Sequence, residues 1–185
     1  MKKGKIVVVD DEKVVTSAFS MLLKVEGFSD THFFNKPKDA LEFLKTNTPD
    51  LIVSDFMMPD MNGLEFLTAA KKMYPEVSMI LLTGYADKEN AIKAINEIGL
   101  YKYIEKPWDN EDLLINIRNG IERSHLVSGL KEKVIELEKA EQELNKAKQA
   151  NVTETTQNNS HFNLKKCVLK AKIEELESKG NLSQT

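Results

Sequence analysis

Aspartates at 10, 11 and 55, a threonine at 83 and a lysine at 106 each close a short apolar run. Taken singly, each has an ordinary reading. Asp10-Asp11 suits a helix N-cap, Thr83 suits a strand end before Gly84, and Lys106 suits a solvated charge. Asp55 could cap the next helix, stabilise a turn, hold a metal or act as a nucleophile. Brought together, they have a different chemistry. Three adjacent carboxylates repel one another unless protons are retained or a cation offsets their charge. A hard divalent ion such as Mg²⁺ (or Mn²⁺) fits oxygen ligands of this kind. Lys106 adds a positive charge suited to a phosphoryl oxygen, and Thr83 adds a hydroxyl donor. The set has the parts of a phosphoryl-transfer site: an acceptor carboxylate, a metal, and donors for the charged oxygens.

Such a site requires elements that bring all five residues to one edge. The first 125 residues alternate apolar runs with amphipathic stretches, and strands are expected at Lys5–Val9, Thr31–Phe34, Leu51–Ser54, Ser78–Leu82 and Tyr101–Ile104. Helical spacing of apolar residues covers Glu12–Glu26, Pro37–Lys45, Asn62–Met73, Lys88–Ile98 and Asn110–Arg123. This alternation predicts an α/β fold, a five-stranded parallel sheet with helices on both faces. The first, third and fourth strands are almost uninterrupted apolar runs, as strands buried on both sides are. In such sheets ligands bind beyond the carboxyl ends of the strands, where the five residues fall.

Composition excludes several alternatives. A formal net charge of −3 and a pI of about 5.7 give no general attraction to nucleic acid. The single cysteine, Cys167, cannot make an internal disulfide framework or a cysteine-built zinc site. The longest apolar runs fall far below the roughly 20 residues of a membrane helix, so a cytoplasmic protein with no membrane association is expected. His32, His125 and His161 do not cluster and read as structural or solvated. Trp108 reads as packing, and Asn62-Gly63 as a turn into the third helix.

Organisation changes after Ser124. The expected divisions are a 1–124 domain, a charged helical or coiled-coil extension at 125–150, a polar linker at 151–163, and a short amphipathic helix with a loose terminus at 164–185. Val127, Leu130, Val134, Leu137 and Leu144 follow a heptad-like series broken at Glu141, which leaves a solvated helix and a self-association seam both open.

The stretches "VVVDDE", "LIVSDFMMPDMNG", "LLTGYAD" and "YKYIEKPW" closely resemble, in order and spacing, the receiver domain of two-component response regulators. The resemblance covers about residues 4–124. It implies a flavodoxin-like sheet of strand order 2-1-3-4-5. It also implies that Asp55 accepts a phosphoryl group from a sensor histidine kinase or a phosphotransfer protein. By the same resemblance Asp11 and Asp55 ligate Mg²⁺ directly, Asp10 acts mainly through water, and the backbone carbonyl of Met57 supplies a further ligand. Thr83 and Lys106 contact the phosphoryl group, Tyr103 is the aromatic switch, and Pro107 matches a cis peptide position. Met57 and Tyr85 occupy the positions that influence hydrolytic water, and the edge from the 88–98 helix to the 110–123 helix is the output surface. The implied role is a signalling switch with only self-catalysed phosphotransfer and dephosphorylation. An aspartate-nucleophile phosphatase is the less favoured reading, because the general acid expected two residues after the nucleophile is here Met57. A coiled-coil adaptor or dimeriser, or a piece of a larger regulator with an effector beyond residue 185, is compatible with the receiver reading.

Overall fold

The computed structural model describes the backbone of residues 4–84 and 98–180, and the side chains of these except 149–162 and 171–180. Five parallel strands, β1 (Ile6–Val9), β2 (Thr31–Phe34), β3 (Leu51–Asp55), β4 (Ser78–Thr83) and β5 (Lys102–Glu105), form one sheet of order β2-β1-β3-β4-β5. The expected strands are all present, each end within a residue of its forecast. The uninterrupted apolar runs of β1, β3 and β4 are the three central strands and are buried along their whole length, while β2 and β5 are the half-exposed edges. Hydrophobic composition therefore tracks position in the sheet, because a central strand has both faces covered.

Side chains alternate between two cores with the strand period of two. Val7, Val9, Ile52, Met79 and Leu81 pack with Ala40 and Leu44 of helix α2 (Pro37–Leu44) and Phe66, Leu67 and Ala70 of helix α3 (Gly63–Met73). Ile6, Val8, Leu51, Val53, Ile80 and Leu82 pack with Phe19 and Leu23 of helix α1 (Lys13–Val25) and with Leu113, Ile117 and Ile121 of helix α4 (Asn110–Gly180). The sheet is thus covered on both faces, as the flavodoxin-like topology requires.

Two expectations about the tail change. One helix runs Asn110–Gly180 and takes in the 151–163 stretch expected as a linker, so 164–180 is not a separate helix. Polarity there argues against a packed core, but no proline or glycine stands between Gly129 and Gly180 to break the backbone. The boundary of the first compact unit falls at Lys131 rather than at residue 124, and Glu132–Thr185 forms the second unit. The reason is a set of polar ties at the amino ends of the strands. The Ser78 amide donates to Ser124 Oγ at 2.8 Å, His125 Nε2 lies 2.8 Å from Asp50 Oδ1, and Lys131 pairs with Glu76. His125 is accordingly a partnered residue. The expected helix at Lys88–Ile98 lies almost entirely outside the described residues, as does Tyr85. Among the described residues no helix is long and apolar enough to cross a membrane.

Candidate functional site

Strand register places the reactive residues. Val9 pairs with Ser54, so the next residues, Asp10 and Asp55, stand side by side at the ends of the adjacent strands β1 and β3. Asp55 pairs with Leu82, Thr83 lies one position further along β4, and Thr83 in turn pairs with Glu105, which leads to Lys106. Asp10, Asp11 and Asp55 each offer a carboxylate oxygen within 4.8 Å of the others. Lys106 Nζ reaches into this group, 2.6 Å from Asp55 Oδ1 and 3.0 Å from Asp10 Oδ2.

Asp10 and Thr83 are fully buried and Asp55 nearly so. Burial raises the Asp55 carboxyl above the ordinary value of 3.8; Lys106 opposes the shift, and the charges of Asp10 and Asp11 reinforce it. Burial works to lower Lys106, but hydrogen bonds to Asp55 and Asp10 and their charges outweigh it, and the ammonium is held above its ordinary range. The two directions differ in origin: burial dominates at Asp55, whereas at Lys106 the hydrogen bonds and charges of Asp55 and Asp10 together exceed the effect of burial.

The donor set fits a hard divalent cation: oxygen ligands only, clustered, with more negative charge than Lys106 neutralises. Both carboxylate oxygens of Asp10 have protein donors, the Glu12 amide at 2.9 Å and Lys106. The Thr83 hydroxyl donates to the Gly84 carbonyl at 3.2 Å and stands at the same rim. Met57, two residues beyond Asp55, carries a side chain 64% exposed. Tyr103 is half-buried on edge strand β5 against the α2–α3 core.

The loop carrying Lys106 is seated from below. The Lys106 amide donates to the Thr83 carbonyl at 2.8 Å, the Lys106–Pro107 peptide is cis, and Trp108 meets Phe19 of α1 edge-on with ring centroids 5.2 Å apart. Trp108 thus is packing, as expected, and it also ties the lysine loop to the helix that follows the aspartate pair.

Gly63 carries more than the turn assigned to it. A Cβ there would lie 1.9 Å from the Asp55 carbonyl oxygen, and its amide donates to the Phe56 carbonyl at 2.8 Å. Only glycine lets the start of α3 lie on the backbone at the end of β3. Asn62 caps that helix reciprocally with Glu65. The sequence signal for this was present in the Asn-Gly-x-Glu spacing, whereas the close approach of Gly63 depends on the folded chain.

A family model described as the response regulator receiver domain matches residues 6–118. The DNA-binding transcriptional regulator NtrC of Proteus hauseri is 33% identical over 121 residues, 65% of this chain and 25% of that protein. A putative response regulator NtrX-like of Rickettsia bellii is 33% identical over 136 residues, 71% of this chain and 28% of its own. The solved response regulator receiver domain protein of Clostridium thermocellum matches with a TM-score of 0.62 at 34% identity, covering 66% of this chain and 98% of that one. The chain spans about a quarter of the length of these curated relatives.

Proposed function

The chain belongs to the response regulator receiver family, and on that premise we propose that Asp55 is the phospho-acceptor of a two-component phosphorelay. The observation that carries this reading is the placement of Asp55 Oδ1 2.6 Å from Lys106 Nζ inside the group it forms with Asp10 and Asp11. Asp55 attacks the phosphorus of a phosphohistidine on a sensor kinase or phosphotransfer protein. A P–O bond forms to the carboxylate as the P–N bond breaks, and the imidazole leaves. Asp10, Asp11, Asp55 and the Met57 carbonyl would hold Mg²⁺, whose charge would stabilise the transferring phosphoryl oxygens. Lys106, already at the acceptor, moves its charge onto a phosphoryl oxygen, and the Thr83 hydroxyl turns from Gly84 to donate to another.

Phosphorylation adds about −1.5 to −2 charge and new acceptor oxygens at Asp55. Drawing Thr83 and Lys106 toward them biases the loops after β4 and β5, and Tyr103 on β5 is the side chain that reports the change at the surface. Asp55→Ala is expected to take up no phosphoryl group from a small-molecule phosphodonor with Mg²⁺. Uptake by that variant would refute the assignment. The bulk of Met57 and Tyr85 slows loss of the phosphoryl group, so Met57→Asn/Tyr85→Ala is expected to dephosphorylate faster; equal decay rates would remove that role.

A further inference from the structure

We propose that Asn35 is a positioning residue for the acidic group, holding the Asp10–Asp11 peptide in the orientation that lets both carboxylates face one cation. The inference rests on the Mg²⁺-dependent reading above. Asn35 follows β2, and no candidate set drawn from residue type included it.

The β1–β2 ladder ends with the Asp10 amide donating to the Phe34 carbonyl at 3.1 Å. One position on, the chain turns from the sheet toward α1, and the Asp10 carbonyl has left the ladder. Asn35 Nδ2 donates to that carbonyl at 2.7 Å, so a side-chain amide supplies the rung that the backbone no longer provides. Its second hydrogen goes to Thr16 Oγ1 at 3.3 Å, and Thr16 donates its own hydrogen to the Lys13 carbonyl at 3.1 Å. A carbonyl only accepts, which fixes the amide with its nitrogen toward Asp10. The end of β2, the aspartate pair and the first turn of α1 are therefore joined through one amide.

The consequence for binding is geometric. Asp10 is fully buried, so losing the donor leaves its carbonyl unpaired, and rotation of the 10–11 peptide is the relaxation open to it. That rotation swings Asp11 relative to Asp55. Mg²⁺ demands near-ideal octahedral geometry, so a small swing weakens it out of proportion to its effect on the fold.

The test is Mg²⁺ titration of the whole chain followed by calorimetry, with melting temperatures taken in the absence of Mg²⁺. Asn35→Ala is expected to weaken Mg²⁺ binding about tenfold or more while the protein remains folded at the titration temperature. Asn35→Ser, which keeps a donor near the Asp10 carbonyl, is expected to recover part of the affinity and serves if the alanine variant is unfolded. Unchanged affinity in a folded Asn35 variant, with only the melting temperature lowered, overturns the positioning role and leaves the acidic site standing. Absence of Mg²⁺ binding by the unsubstituted protein overturns the functional reading and this inference together.

Discussion

Asp55 combines burial with two like charges, and its stability consequence has a definite sign. Its carboxyl binds a proton more tightly in the folded protein than at the ordinary value of 3.8. Its contribution is therefore fully present below that value and is lost as pH rises through the elevated folded pKa. Asp55→Asn, which cannot ionise, is expected to be at least as stable as the unsubstituted protein at pH 7. Its advantage should shrink as pH is lowered toward 3.8, which urea unfolding at the two pH values measures. Mg²⁺ affinity should likewise fall with falling pH, starting above the range of an ordinary aspartate, because protons compete for the same oxygens. At this scale the sequence was informative where residue type announces chemistry: Asp10, Asp11, Asp55, Thr83 and Lys106 were all identifiable, and register brings their positions to one rim. Asn35 was not identifiable, since an asparagine after a strand has many ordinary uses and its partners lie 19 and 25 residues away in sequence.

Elements were legible in proportion to how far their faces are apolar. Helices α1 to α3 and all five strands follow from spacing alone, because each buries one face or both against a core. Junctions were less legible. The capping box of α3 predicts that Asn62→Ala costs about 1 kcal/mol in unfolding free energy, a local loss. Gly63→Ala should cost more than that, because its new Cβ would meet the Asp55 carbonyl oxygen at 1.9 Å and either α3 or β3 must move. A larger effect for Asn62→Ala than for Gly63→Ala in denaturant unfolding would contradict the close approach. The helical backbone of 151–163 is hard to read from sequence for a related reason. Composition there reports the absence of a buried face, whereas helix continuity depends on the absence of breakers.

For the whole chain, the informative position is Lys131. A protein ending at Arg123 loses Ser124, which is buried and accepts the Ser78 amide, together with the His125–Asp50 and Lys131–Glu76 pairs. Truncation after Lys131 is expected to keep Mg²⁺ binding and stability, while truncation after Arg123 should lose about 1–3 kcal/mol, chiefly from the orphaned Ser78 amide. Unfolding of the two truncated proteins side by side decides this. These ties could not be read from sequence, because serine and histidine at a helix end do not name partners 46 and 75 residues distant. Beyond Lys131 the exposed Val134, Leu137 and Leu144 keep the heptad-like seam. A second copy of this segment would cover that seam. Light scattering with and without beryllofluoride and Mg²⁺ should show a mass that depends on residues after Lys131; an unchanged monomer mass in every case removes the tail from the output.

The edge-on contact between Phe19 and Trp108 has a practical corollary. Trp108 is the single indole in the chain, and it sits two residues from Lys106, whose ammonium pairs with Asp55 and Asp10. Its emission is thus an intrinsic optical probe, free of background from any other tryptophan. Occupancy of the rim becomes readable from the intensity and wavelength of one fluorophore, without any label attached to the protein.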